Sequence, residues 1–256
     1  MNAIFDSHAH YDDKAFDSDR DSLLASMEEN GVGRIVNVGA SLATTKQTLE
    51  LVKKYPFIYG AAGVHPDDTS ELNEENFRWL MWAAEQEKMV AVGEIGLDYY
   101  WDNTPREVQQ HWFRRQLRLA WELDRPVIIH SREAAKDTLD IIREEGGRDH
   151  DMVIHCFSYG VELAREYLDM GHYLGIGGVL TFKNAKKLKE VAEYAPLERI
   201  LLETDCPYLA PVPFRGKRND STKISHVAEE LARIKGVDAD RILEVTWENA
   251  CRFYRI

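Results

Sequence analysis

His8-Ala9-His10 is the first segment in this chain whose residue types could do chemistry. In an extended segment, side chains two positions apart share a face, so both imidazoles point the same way and can chelate one ion. Further groups of ligand type follow at intervals: His65, Glu94, Asp98, His130, His155 and Asp205. Each has an ordinary reading as well. A histidine at the end of a strand is often a satisfied polar residue. Glu94 could be a structural carboxylate bonded to backbone N–H groups, and Asp205 a helix cap or turn residue. Taken together they point to a metal centre, because the imidazoles of His8, His10, His130 and His155 gathered without a metal would bury polar groups at high cost. Two divalent cations would give every imidazole and carboxylate a partner, with Glu94 placed to bridge them. Imidazole suits Zn, Mn, Fe or Ni, and carboxylates also suit Mg and Mn.

The elements that must position these groups are short, β-branched-rich apolar runs. They read as strands at Ala3–Phe5, Arg34–Val38, Ile58–Val64, Met89–Ile95, Pro126–His130, Met152–Cys156, His172–Ile176 and Arg199–Leu202. Segments of helical period lie between them: Asp21–Asn30 ended by Gly31, Thr44–Tyr55, Glu74–Glu87, Arg132–Glu145, Val161–Met170, Ala185–Tyr194, Lys223–Ile234 and Ala239–Tyr254. A further helix before the fifth strand starts with Thr104 as N-cap, Pro105 at N1 and Glu107 at the capping-box position. Eight strands alternating with helices predict parallel βαβ units. An open doubly wound sheet would carry a Gly-rich turn after its first strand. Here that turn holds His8 and His10, so the expected fold is α/β, a single-domain (β/α)8 TIM barrel over residues 1–256. Such a barrel typically needs about 250 residues and builds its active site at the C-terminal ends of the strands. The ligand-type residues fall at those ends, and closure of the barrel should bring Asp205 of strand eight to His8 and His10 of strand one.

The composition agrees with a globular domain: 44% of residues are hydrophobic. A formal net charge of −12 argues against a broad basic face for nucleic acid, though not against a local basic patch. Cys156, Cys206 and Cys251 are scattered and odd in number, which argues against a disulfide framework and for a reducing, cytoplasmic setting. The N-terminal residues do not read as a signal peptide. No apolar run approaches the roughly 18 residues of a membrane span, so no membrane partner is expected.

With these residues in place, the chain resembles the TatD family of metal-dependent deoxyribonucleases, among the amidohydrolase-like barrels. The matching segments are Asp6-Ser7-His8-Ala9-His10, Gly63-Val64-His65-Pro66, Gly93-Glu94-Ile95-Gly96-Leu97-Asp98-Tyr99, Pro126–Arg132, His155-Cys156-Phe157-Ser158, Leu202–Leu209 and Pro213–Asn219. Seven segments in the right order are far more specific than any one of them. The resemblance implies metal ligands at His8, His10, Glu94, His130, His155 and Asp205, with His65 near a substrate phosphate. It also implies two divalent ions (Mg, Mn or Zn) and hydrolysis of DNA, often from the 3′ end of single strands. Tyr159, where the family often has Gly, and Phe214, where it often has His or Tyr, depart from the pattern; both bear on substrate preference rather than metal binding.

Phosphodiester hydrolysis needs an activated water and charge neutralisation on the phosphoryl oxygens, which two metals supply. Asp205 is the candidate general base. His65 and Arg132 are candidates for the phosphoryl oxygens, Arg132 having the alternative of pairing with a carboxylate at a helix start. Arg215, Lys217 and Arg218 form a local basic cluster after Asp205. It is either a solvated loop or, with Arg215 and Lys217 foremost, a rim for a polyanion. Tyr99, Tyr100 and Trp101 could stack bases or pack on the barrel rim. The resemblance makes single-stranded DNA the expected partner, with no obligatory protein partner. The competing functions are a metal-dependent deacylase or amidohydrolase, for example on aminoacyl-tRNA, and a binding protein on an inactive barrel. Small-molecule amidohydrolases often carry a modified lysine where Glu94 stands, and complete ligands disfavour an inactive barrel.

Overall fold

The computed structural model describes residues 3–101 and 103–256. Its strands are β1 (Ile4–Ala9), β2 (Val32–Val38), β3 (Ile58–Ala62), β4 (Met89–Asp98), β5 (Val127–Arg132), β6 (Met152–Ile154), β7 (Tyr173–Ile176) and β8 (Ile200–Leu202). They form one eight-stranded sheet in chain order. The helices are α1 (Arg20–Ala25), α2 (Leu42–Lys54), α3 (Glu74–Ala84), α4 (Arg106–Glu122), α5 (Ala135–Glu144), α6 (Val161–Asp169), α7 (Lys186–Tyr194), α8 (Ile224–Lys235) and α9 (Ala239–Tyr254). This is the α/β, (β/α)8 barrel fold expected from the alternation. Among the described residues, no helix is long and apolar enough to cross a membrane.

The chain packs as two compact units, one of Met1–Asn37 with Cys156–Ile256, the other Val38–His155. In the first, β1 pairs in parallel with β2, and β7 with β8; a parallel bridge from Ala9 to Cys206 joins the end of β1 to the segment after β8. In the second, β3, β4, β5 and β6 pair in parallel in that order. All ten residues of β4 are buried. A parallel strand covered on both faces reads as a continuous apolar run, which is why Met89–Val92 were legible as strand. Gly96 lets β4 lie against β5: its φ is +147°, and a Cβ there would stand 1.9 Å from the His130 carbonyl oxygen.

Several expected element bounds shift, among them three with a plain cause. Strand β1 runs on through Asp6, Ser7 and His8, whose polar side chains are buried with the strand. Ser7, for instance, donates from its hydroxyl to the Leu202 carbonyl at 2.9 Å. Helix α1 stops at Ala25 rather than reaching Asn30: the Ser26 hydroxyl donates to Leu23 O and the Asn30 side-chain amide to Ser26 O, so side chains take carbonyls in a turn. Thr104 does not cap α4. Its hydroxyl donates to the Asp67 carbonyl at 2.7 Å, and Pro105 occupies the cap position.

Candidate metal centres

In the first unit, β1 delivers His8, and the residue just past its end delivers His10. The spacing of two does what extended backbone requires: the two Nε2 atoms face each other at 3.0 Å. Asp205, three residues after β8, places Oδ1 3.3 Å from His10 Nε2 and 3.8 Å from His8 Nε2. Backbone bonds hold this approach, Asp205 N–H donating to His8 O and His10 N–H to Cys206 O, each at 2.9 Å. Asp205 itself sits at φ +55°, a left-handed conformation uncommon for a residue with a Cβ. Such a backbone persists where the surroundings hold it, and functional sites are where it concentrates.

Asp6, on the same strand as His8, is fully buried. Its Oδ1 accepts from the His8 and Thr204 backbone N–H groups, and its Oδ2 from the Thr204 and Ser221 hydroxyls, both at 2.6 Å. One carboxylate thereby ties the His8 backbone to the residue preceding Asp205. Burial pushes the Asp6 pKa up to about 7, against the opposing pull of these hydrogen bonds.

The second unit gathers a larger set. Glu94 Oε1 lies 2.7 Å from His130 Nδ1, 3.0 Å from His155 Nε2 and 3.9 Å from His65 Nε2. His130 meets a second carboxylate with its other ring nitrogen, Nε2 standing 3.0 Å from Asp98 Oδ2. Burial opposes charge on His130, but the hydrogen bonds to Asp98 and Glu94 outweigh it and raise its pKa. His65 goes the other way. Burial, helped by repulsion from His130, lowers its pKa to about 3, so its ring is neutral at ordinary pH. Its Nδ1 accepts from the Asp67 N–H at 3.3 Å, which assigns the proton to Nε2, the nitrogen that faces Glu94.

Both sets have the chemistry a divalent ion requires. His8, His10 and Asp205 converge within 3.8 Å, and the ligand atoms of Glu94, His130 and His155 lie within 4.8 Å of one another. Imidazole nitrogens with a carboxylate oxygen are a donor set for Zn, Mn or a related ion. Asp98 stands behind His130, the place from which a carboxylate fixes the ring and tautomer of a histidine that binds metal.

The substrate candidates separate. Arg132 ends β5 rather than starting a helix, and it is exposed; its guanidinium lies 3.9 Å from the Tyr100 ring centroid and 5.4 Å from that of Trp101. Arg215 is exposed over the Phe182 ring at 4.4 Å, and Lys217 is exposed. Arg218 leaves the basic cluster: it forms a two-pronged ion pair with Asp19 and lies over Phe16. Of the aromatic trio, Tyr99 packs, donating from its hydroxyl to Asp137 with Arg106 over its ring. Tyr100 and Trp101 remain more than half exposed.

Sequence reasoning missed the roles of Asp6 and Glu203, and it named Asp98 as a ligand type without its place behind His130. A signal existed for Asp98, since an even spacing from Glu94 puts both side chains on one face of β4. Glu203 is buried and accepts the Cys156 N–H at 2.5 Å, and no sequence pattern flags it.

Comparison with known proteins gives the family. A family model described as TatD related DNase matches residues 5–255. The chain is 44% identical over 253 residues to an uncharacterized metal-dependent hydrolase, YabD, of Bacillus subtilis (strain 168), covering 99% of both chains. It is 34% identical over 258 residues to a 3'-5' ssDNA/RNA exonuclease TatD of Cronobacter sakazakii, covering 98% of this chain and 97% of the relative. Among solved structures, YJJV, a TatD homolog from Escherichia coli k12, superposes with a TM-score of 0.92 at 30% identity, covering 99% of this chain and 98% of that one.

Proposed function

We infer, for a chain that belongs to the TatD related DNase family and is a metal-dependent hydrolase, that its reaction is hydrolysis of phosphodiester bonds in DNA, with single strands as substrate. The observation that carries the reading is the pair of convergent donor sets, His8–His10–Asp205 and Glu94–His130–His155. In this reading the first set holds one divalent ion and the second set another. When bound, such ions act as Lewis acids that acidify water and offset phosphoryl charge.

The chain's own residues do the rest. Asp205 is part-exposed, with 20% of its side chain reached by solvent, so it can take the proton of an attacking water and pass it on. His65, neutral and protonated on Nε2, offers a hydrogen-bond donor to a phosphoryl oxygen without adding charge. Arg132 adds the cation a phosphate needs, and Arg215 and Lys217 present two more on an otherwise acidic protein.

The test is an end-labelled single-stranded oligonucleotide offered to protein stripped with EDTA and then reconstituted with Mg, Mn or Zn, with duplex DNA, RNA and aminoacyl-tRNA in parallel. Cleavage that is lost on stripping and restored by a divalent ion is expected. Hydrolysis of aminoacyl-tRNA with intact DNA would move the protein to the deacylase reading.

A further inference from the structure

Beyond the metal-type ligands of the second unit lies an arrangement that the hydrolytic chemistry does not use. Tyr100 and Trp101 are 55% and 56% exposed, and their rings meet edge to face at 5.0 Å. Rings of this size ordinarily stabilise a protein by being buried. Here the backbone beneath them is held firmly instead. Asp98 Oδ1 accepts the N–H groups of both Tyr100 (2.8 Å) and Trp101 (3.1 Å), while its other oxygen meets His130. The Tyr99 N–H donates to the Arg132 carbonyl at 2.9 Å, which pins the same loop to β5. Arg132 then lays its guanidinium on Tyr100. Arg132 pairs in register with Asp98, as His130 does with Gly96. Two residues apart on β5, His130 and Arg132 project on one face, about 6–7 Å apart along the strand.

We propose that Tyr100, Trp101 and Arg132 form a stacking platform for an unpaired nucleobase of a single strand, one step along β5 from His130. The proposal rests on the nucleic-acid reading above and specifies it. Two half-exposed rings set at right angles, with a planar cation laid on one of them, offer a sequence-tolerant stacking face, because every base has a π-face and every nucleotide a phosphate. The guanidinium keeps N–H edges for phosphate while its face lies on Tyr100. Bases inside a duplex are already stacked on each other, so the platform selects single strands and frayed ends. With the loop backbone already held, little entropy is lost when a base settles on it.

The experiment separates binding from cleavage. With EDTA present, anisotropy of a short fluorescent single-stranded oligonucleotide reports affinity for wild type, Trp101→Ala, Trp101→Phe and Arg132→Lys. Trp101→Ala should weaken binding about 5- to 150-fold, the range for losing one base-stacking partner. Trp101→Phe should recover most of it, and Arg132→Lys, which keeps the charge and loses the planar face, should lose affinity. An oligonucleotide made of abasic residues should bind wild type and Trp101→Ala alike. Equal affinity of wild type and Trp101→Ala for the base-bearing strand overturns the platform, as does an equal loss on the abasic strand. Wild type that binds the strand with these responses but never cleaves it after metal loading leaves the platform standing and removes the nuclease reading. Wild type that neither binds nor cleaves removes both.

Discussion

The two ligand sets solve the same problem with different means. His8, His10 and Asp205 are two imidazoles to one carboxylate, and solvent reaches 12% of the His10 side chain and 20% of Asp205. Their geometry comes from backbone bonds and from the hydrogen-bond network around Asp6. Glu94, Asp98, His130 and His155 are two carboxylates to two imidazoles, with both carboxylates 5% exposed or less. There the histidines meet carboxylates directly, and His130 is held on both ring nitrogens. The first set is partly open to water; the second is closed, with its imidazoles held by buried carboxylates. Damage should therefore show as lost turnover in the first set, and as lost metal affinity and stability in the second.

The largest effect expected is at Asp205. Asp205→Asn keeps an oxygen for the metal and loses the capacity to take a proton, so turnover should fall at least about a hundredfold. Metal content should persist, and so should thermal stability, since the side chain is only partly buried. Near-normal turnover in the variant would remove Asp205 from the proton chemistry.

Asp98→Asn probes the frame. Asparagine can still accept the Tyr100 and Trp101 N–H groups, but it no longer offers His130 Nε2 a carboxylate. A carboxylate behind a ligating histidine is worth about 10- to 100-fold in metal affinity or activity. Metal titration should reveal that loss, with turnover at saturating metal much closer to wild type. Asp98→Ala should add instability of about 1–3 kcal/mol, because it orphans part-buried N–H groups. If Asn and Ala variants bind metal as wild type does, Asp98 serves the loop alone.

The contrast between the sets also explains what could be read in advance. Ligand types at strand ends are legible because few other roles put His, Glu and Asp at the ends of apolar runs, and their order along the chain carries the family pattern. Supports are not legible in the same way. Asp6 is satisfied by Ser221, 215 residues later, and nothing local announces that pairing. The same limit misplaced the cap of α4: Thr104 has the right type at the right offset, yet its hydroxyl found the Asp67 carbonyl. Sidedness is equally hidden. Tyr99 and Tyr100 are adjacent and chemically identical, but one packs under Arg106 and the other stays open.

The basic loop gives the smallest effect and repeats the contrast between open and built-in groups. Arg218 is built in, paired with Asp19 and laid on Phe16, whereas Arg215 and Lys217 are exposed. Arg218→Ala should lower thermal stability and leave the salt dependence of oligonucleotide binding almost unchanged. Replacing Arg215 and Lys217 together with Ala should do the reverse. Each phosphate contact on a single strand contributes about 0.7 to the slope of log affinity against log salt. Losing two should flatten that slope by about 1.4, and the loss should be the same for every base sequence, because phosphate contacts carry no sequence information. Binding measured across a salt series separates the cases. A wild-type slope in the double variant assigns the loop to solvent, and a flattened slope in Arg218→Ala means that its ion pair with Asp19 opens to receive the strand.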